Sequence, residues 1–280
     1  MCTTCGCDKD AKPMVTNVQN GKVISMEHDH GHEHTHCHRH DHEHLHEPHH
    51  HDHGHEHGHS HGRIVTLEKD ILAKNNLIAE RNRGWFEGRN ILALNLVSSP
   101  GAGKTTLLER TLKDLKDAIP MSVIEGDQET IHDAERIRAT GCRVVQINTG
   151  TGCHLESDML AKGLKELQPP MNSVLMIENV GNLVCPALFD LGEKAKVAIL
   201  SVTEGEDKPL KYPHMFKASK IMILNKIDLL PYVEFDVEKC IEYARQVNPE
   251  IQVFKISAAK GDGLDHWYDW LKSEKELNRE

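Results

Sequence analysis

Ser98-Ser99-Pro100-Gly101-Ala102-Gly103-Lys104-Thr105-Thr106 decides how the rest of the chain is read. The apolar run Ile91 to Val97 enters it as a buried strand, and Thr105 to Leu115 leaves it with helical spacing. Strand, glycine-rich loop, Lys-Thr and helix together form a P-loop. Gly101 and Gly103 let successive backbone N–H groups converge on phosphate oxygens. Lys104 brings a cation to the β/γ-phosphates, the Thr105 hydroxyl is placed for Mg²⁺, and the helix start adds its positive dipole end. Ser99, Ala102 and Thr106 complete the phosphate-binding stretch. The first position of G-x-x-x-x-G-K-[ST] is Ser98 here instead of glycine.

Outward from this loop, apolar strands alternate with helix-length segments. Strands are expected at Met121 to Glu125, Arg143 to Asn148, Val174 to Ile177, Val197 to Val202, Ile221 to Leu224 and Gln252 to Ile256. Such alternation predicts an α/β P-loop NTPase with a mainly parallel sheet covered by helices on both faces. Upstream, Leu67, Ile71, Ile78 and Trp85 recur at helical intervals, with Glu68, Lys69, Lys74, Glu80 and Arg81 on a solvated face. This is read as a helix packed on one side of the sheet.

In an open α/β sheet, ligands gather beyond the carboxyl ends of the strands, and the remaining motifs fall there. Asn225-Lys226-Ile227-Asp228 is N-K-x-D. The Asp228 carboxylate can accept two hydrogen bonds from guanine N1–H and the exocyclic amine, while Asn225 and Lys226 brace the loop and cover the ring. Adenine lacks those donors, so GTP and GDP are the expected nucleotides. Ser257-Ala258 resembles a second base-contacting loop. Asp127, in Glu125-Gly126-Asp127-Gln128, and Glu178, in the E-x-x-G of Glu178 to Gly181, are the candidate carboxylates for magnesium and for placing the attacking water. Either could be the main magnesium partner. Lys104, Thr105, Asp127 and Glu178 are thus the expected catalytic set.

A second constellation lies beside the first. Thr149 to His154 follows one strand and Asn182 to Pro186 follows another, so Cys153, His154 and Cys185 supply two thiolates and an imidazole, a partial tetrahedral site for Zn²⁺ or Ni²⁺. The Cys185 loop continues from Glu178, so nucleotide state could alter metal affinity through one short connection. Cys142 and Cys240 have no ligand-like context. Thr203 to Lys211 reads as a switch, a dimer contact or a solvated loop, with Lys208 or Lys211 available to phosphate charge.

The N-terminal part has a different chemistry. Cys2, Cys5 and Cys7 form C-x-x-C-x-C, in which three thiolates can turn onto one soft ion. Of 22 histidines, all but His132, His154, His214 and His266 fall between His28 and His61, interleaved with Asp29, Glu33, Asp41, Glu43, Glu47, Asp52 and Glu56. A segment with so little apolar surface is expected to be disordered without metal and to hold several ions loosely. Residues 1–62 are therefore read as a metal-binding region and 63–280 as the GTPase domain with its N-terminal helix. Across 280 residues the formal net charge is −10, which argues against general nucleic-acid binding. No apolar run approaches the roughly 18 residues of a membrane span, and no secretory signal is visible at Met1, so a cytoplasmic protein is expected.

These stretches carry a family resemblance. M-C-T-T-C-G-C, S-S-P-G-A-G-K-T-T, E-G-D-Q, T-G-C-H-L, I-E-N-V-G-N-L-V-C-P and S-V-T-E-G-E-D-K-P-L-K-Y-P-H-M-F resemble the HypB family of hydrogenase nickel-incorporation GTPases, in the dimerising metal-chaperone branch of P-loop GTPases. The likeness runs from about Leu67 to the C-terminus and includes the first seven residues. It implies slow GTP hydrolysis driving nickel delivery, with an accessory protein, into the large subunit of [NiFe]-hydrogenase. It also implies a homodimer favoured by GTP, metal at Cys153, His154 and Cys185 near the interface, and a tight nickel site at Cys2, Cys5 and Cys7. The alternatives are a nickel or zinc store, or a GTPase chaperone for another metalloenzyme such as urease.

Overall fold

The computed structural model describes residues 13–26, 60–128 and 132–278, with backbone alone for 60–68. Cys2, Cys5, Cys7 and the histidine tract as far as residue 59 lie outside the described residues. Among the described residues nine strands form one sheet: β1 (Met14–Asn17), β2 (Lys22–Ser25), β3 (Leu92–Ser98), β4 (Met121–Asp127), β5 (Arg143–Asn148), β6 (Val174–Glu178), β7 (Ala195–Ser201), β8 (Ser219–Asn225) and β9 (Gln252–Lys255). Their order is β2-β1-β5-β4-β6-β3-β7-β8-β9. From β5 to β9 every pairing is parallel. The expected α/β P-loop architecture is therefore present.

Helices are α1 (Ser60–Glu87), α2 (Lys104–Asp114), α3 (His132–Ala139), α4 (Ser157–Leu167), α5 (Cys185–Leu188), α6 (Lys208–Lys211), α7 (Pro213–Ala218), α8 (Val237–Val247) and α9 (Leu264–Leu277). The central strand β3 shows why both faces need cover. Leu92, Leu94 and Leu96 point to the side packed by Leu107, Leu108, Ile137 and Trp267 from α2, α3 and α9. Ala93 packs with Phe86, Leu160 and Leu164 on the opposite face, and Val97 with Phe216, Cys240 and Ala244. Period-two side chains on a strand buried from both sides give the near-continuous apolar run seen in the sequence.

Two features depart from the sequence reading. The hairpin β1–β2 adds antiparallel strands to the β5 edge, with Val15 buried beside Ile147 and Leu160. The second departure is the face by which α1 packs. Ile71, Ile78 and Trp85 are only half-buried, whereas the fully buried stripe is Asn75, Ala79, Asn82 and Phe86, and Leu77 is 72% exposed.

The buried asparagines of that stripe bond main-chain groups at the start of α4 and in the segment before β7. Asn75 Nδ2 donates to Asp190 O at 2.7 Å, and Asn75 Oδ1 accepts from Ser157 N, the first residue of α4, at 2.9 Å. Asn82 Nδ2 donates to Ser157 O and Leu191 O at 3.0 and 3.1 Å. Amide side chains thus latch α1 to the start of α4 and to the segment before β7. Asn82→Ala removes a buried donor from Leu191 O and from Ser157 O and should lower stability by about 1–3 kcal/mol in urea unfolding. Leu77→Ser should stay within about 0.5 kcal/mol of the parent. A neutral Asn82→Ala variant would contradict the latch.

Candidate functional site

The P-loop leaves the carboxyl end of β3, at the centre of the sheet, and Lys104 opens α2, so the positive helix end faces the loop. Gly101 and Gly103 adopt left-handed backbone, φ 76° and 96°. At Gly103 the reason is also spatial, since a Cβ there would lie 2.5 Å from Asn225 Nδ2. That amide donates to Ala102 O at 3.0 Å, and Lys226 Nζ donates to Gly101 O at 2.7 Å. The N-K-x-D loop therefore braces the phosphate loop directly.

Asn225 joins a third loop as well. Its Oδ1 accepts from Ala258 N at 3.1 Å and from Lys226 N at 2.8 Å, while Ser257 Oγ donates to Asp228 Oδ1 at 2.6 Å. Ser99, Gly101 to Thr106, Asn225, Lys226, Asp228, Ser257 and Ala258 thus converge from three strand ends onto one edge. Ser98, the departure from the P-loop pattern, acquires a role that the sequence reading did not see. Its buried Oγ accepts from Lys104 Nζ at 3.0 Å and donates to Ser99 O. Lys208 Nζ reaches Ser99 Oγ at 3.4 Å and also pairs with Glu204, while Lys211 pairs with Asp207 at the surface. Of the two lysines, Lys208 is the one beside the phosphate loop.

The carboxylates stand on the next two strands. Thr105 Oγ1 donates to Glu178 Oε1 at 2.7 Å, and Glu178 Oε2 is buried with no partner. Burial raises the Glu178 carboxyl above the usual range against the pull of Lys104 and the Thr105 bond. Glu125 faces Glu178 across the β4–β6 ladder and is pushed up to about 9 by burial and then by the charges of Glu178, Asp127 and Asp133. Its Oε2 is likewise unpartnered. Glu125 was not singled out as a site residue in the sequence, though its place two residues before Asp127 signals it. Asp127 ends β4, where its carbonyl accepts from Thr149 N. A hydroxyl, an orphaned carboxylate oxygen and further acids at this edge form a donor set that fits a hard divalent cation such as Mg²⁺.

The thiols and imidazole come together too. Cys153, His154 and Cys185 offer ligand atoms within 4.8 Å of one another, the one such cluster among the described residues. The two Sγ atoms stand 2.8 Å apart, too far for a disulfide, and Cys153 Sγ is 3.6 Å from His154 Nδ1. His154 is pressed against Phe189, ring centroids 3.9 Å apart, and burial lowers its pKa to about 4. A neutral imidazole with a buried, unpartnered Nε2 beside two thiols fits Ni²⁺ or Zn²⁺. Cys142 and Cys240 stand elsewhere, their thiols pushed up to about 12 by burial.

Glu125 yields a pH test on protein free of nucleotide and metal. Its folded pKa near 9 exceeds the ordinary 4.5, so between those values the native state holds a proton that the unfolded chain has released. Stability should therefore fall as pH rises through that window, by up to about 1.4 kcal/mol per unit. Glu125→Gln removes this contribution, so the variant should gain on the parent between pH 5 and pH 8 in urea unfolding. A difference constant with pH would contradict it.

Comparison with known proteins agrees with this geometry. Residues 92–255 match the family model described as "CobW/HypB/UreG, nucleotide-binding domain". Hydrogenase maturation factor HypB of Escherichia coli K12 is 62% identical over 76% of this chain and 73% of its own length. The crystal structure of hydrogenase maturation factor HypB from Archaeoglobus fulgidus superposes with a TM-score of 0.68 at 36% identity, covering 72% of this chain and 99% of that one. That of HypB from Helicobacter pylori in complex with nickel gives 0.69 at 38% identity, covering 73% and 96%. No helix among the described residues is long and apolar enough to cross a membrane. With a family model over more than half of its length and relatives of this similarity, the chain belongs to the CobW/HypB/UreG family of nucleotide-binding proteins and, within it, to the HypB hydrogenase maturation factors.

Proposed function

We propose that the chain is a GTPase, converting GTP and water to GDP and phosphate, that uses this cycle to deliver nickel to the large subunit of [NiFe]-hydrogenase. One observation carries the reading. The connection from β6 to α5 starts at Glu178, which holds the P-loop Thr105, and ends at Cys185 in the thiol–imidazole cluster. Six residues therefore separate a nucleotide-sensing carboxylate from a metal ligand. The relative from H. pylori was crystallised in complex with nickel, which supports nickel as the cargo; Cys153, His154 and Cys185 supply donors that suit it. The same donors suit Zn²⁺.

In this reading Lys104 leaves Ser98 Oγ for a phosphate oxygen, and the P-loop amides neutralise the charge that develops on transfer. Thr105 and Glu178 would hold Mg²⁺, which supplies Lewis-acid neutralisation of the phosphates when bound. Asp127 stands at the end of β4, where it can orient water. Asp228 reads guanine, with Ser257 fixing the carboxylate from behind. Cys2, Cys5 and Cys7 form the tight nickel site, and the histidine tract stores further ions. GTP favours a homodimer, and a hydrogenase accessory protein and the hydrogenase large subunit are the partners. The protein acts in the cytoplasm.

Base reading is testable by one substitution. Asp228→Asn exchanges an acceptor for a donor facing guanine N1–H and the amine, so GTP affinity should fall at least a hundredfold. Xanthosine triphosphate, with a carbonyl in place of the amine, should then bind better than GTP in competition assays. Equal GTP affinity in parent and variant would remove Asp228 from base recognition.

Delivery is tested by complementation of cells lacking their own hydrogenase maturation GTPase. The parent chain should restore hydrogenase activity, Lys104→Ala should restore none, and Cys185→Ser should restore little. Full rescue by Lys104→Ala would contradict GTP-driven delivery.

A further inference from the structure

Asn95 occupies the middle of the central strand β3, fully buried where the flanking positions are apolar. A polar amide there is costly unless it is satisfied, and its partners trace a line through the molecule. Asn95 Oδ1 accepts from Asn179 Nδ2 at 3.2 Å, and Asn95 Nδ2 donates to Glu193 Oε1 at 3.1 Å. Asn179, 1% exposed, directly follows Glu178 in sequence. Its Oδ1 accepts from Leu155 N at 3.1 Å and Val180 N at 3.0 Å, and Leu155 directly follows His154.

The other end of the line returns to the same histidine. Glu193 pairs with Lys196, and this buried pair holds the carboxylate ionised. Glu193 Oε2 accepts from Leu191 N at 2.7 Å, while Lys196 Nζ donates to Phe189 O at 3.0 Å. Phe189 is the residue whose ring lies against His154. One buried network therefore starts at the residue after the P-loop's carboxylate partner and grips His154 twice, by the adjoining main chain and by the ring.

We propose that Asn179 is the positioning residue through which the nucleotide site sets metal affinity, moving Leu155 and, by way of Asn95, Glu193 and Lys196, Phe189 against His154. This rests on the nucleotide-gated delivery proposed above and names its connection. Three of the four hydrogen-bonding places on the Asn179 amide are used in a desolvated position. If the chain after Glu178 shifts without Leu155 and Asn95, each lost bond leaves a buried polar group unpaired. The loops on either side are thereby obliged to move together. A carbon side chain would impose no such register, which accounts for two asparagines buried at this point of the sheet.

The test uses the full chain titrated with Ni²⁺ in the presence of Mg²⁺ and either GDP or a non-hydrolysable GTP analogue. Nickel at Cys153, His154 and Cys185 is read from the nickel–thiolate absorption that disappears in Cys185→Ser. The parent should show a five- to 150-fold difference in nickel affinity between the two nucleotides, the usual range of coupling between sites. Asn179→Ala, and independently Asn95→Ala, should bring that ratio within about twofold of one. A side chain that only supports the fold would weaken nickel binding equally with both nucleotides and leave the ratio unchanged. An unchanged ratio in either variant with native circular dichroism overturns the proposal. A parent ratio of one overturns instead the nucleotide-gated delivery on which it rests.

Discussion

The amide of Asn225, packed against Gly103 and bonded to Ala102 O, is the contact on which the nucleotide edge depends. One side chain ties the phosphate loop after β3, the N-K-x-D loop after β8 and the Ser257–Ala258 loop after β9. Because the three loops leave neighbouring parts of one rigid sheet, the residues proposed for phosphate binding and for base reading are held in one frame. Preorganisation of this kind reduces the ordering cost of binding. The fit is close enough that position 103 admits no side chain. Lys104 donates to Ser98 Oγ in the same frame, which gives the non-glycine first position a physical purpose.

On the other side of the phosphate loop the design is electrostatic. Glu125 and Glu178 are buried next to each other in register, and both are held toward the protonated form by desolvation. Two carboxyls crowded in this way are relieved by a nearby cation, so the edge suits the divalent ion proposed to accompany phosphate. The thiol–imidazole cluster follows a softer chemistry a few residues further along the same connection. Hard and soft donor sets placed at opposite ends of one short segment would let each of the proposed ions find its own site.

Much of this was legible in the sequence because it rests on local pattern. Buried strands of a parallel sheet are apolar runs, and β3 to β9 lie within a few residues of the segments expected for them. The motif residues are legible for a similar reason, since phosphate, base and soft-metal binding demand particular side chains at fixed offsets. The hairpin β1–β2 was missed although Asn20-Gly21 between two β-branched stretches marks a turn, because the neighbouring cysteines and histidines dominated the reading. The packing face of α1 was misplaced by one stripe. Asn75 and Asn82 are buried against main-chain carbonyls distant in sequence, and periodicity of apolar residues carries no trace of them. Asn95, Asn179, Glu193 and Lys196 were invisible as a set, since only the fold brings four separate polar residues into one chain of bonds.

The central claim is that nucleotide and metal occupy two ends of one coupled device. Linkage makes the coupling reciprocal, so nickel must discriminate between nucleotides by the same factor as nucleotides change nickel affinity. The most direct measurement is therefore the affinity of the full chain for GDP and for a non-hydrolysable GTP analogue, with and without Ni²⁺, in parent and Cys185→Ser proteins. The account expects nickel to change the ratio of the two affinities in the parent and to leave it unchanged in Cys185→Ser. A ratio indifferent to nickel in the parent, or a nickel effect that survives in Cys185→Ser, would contradict it.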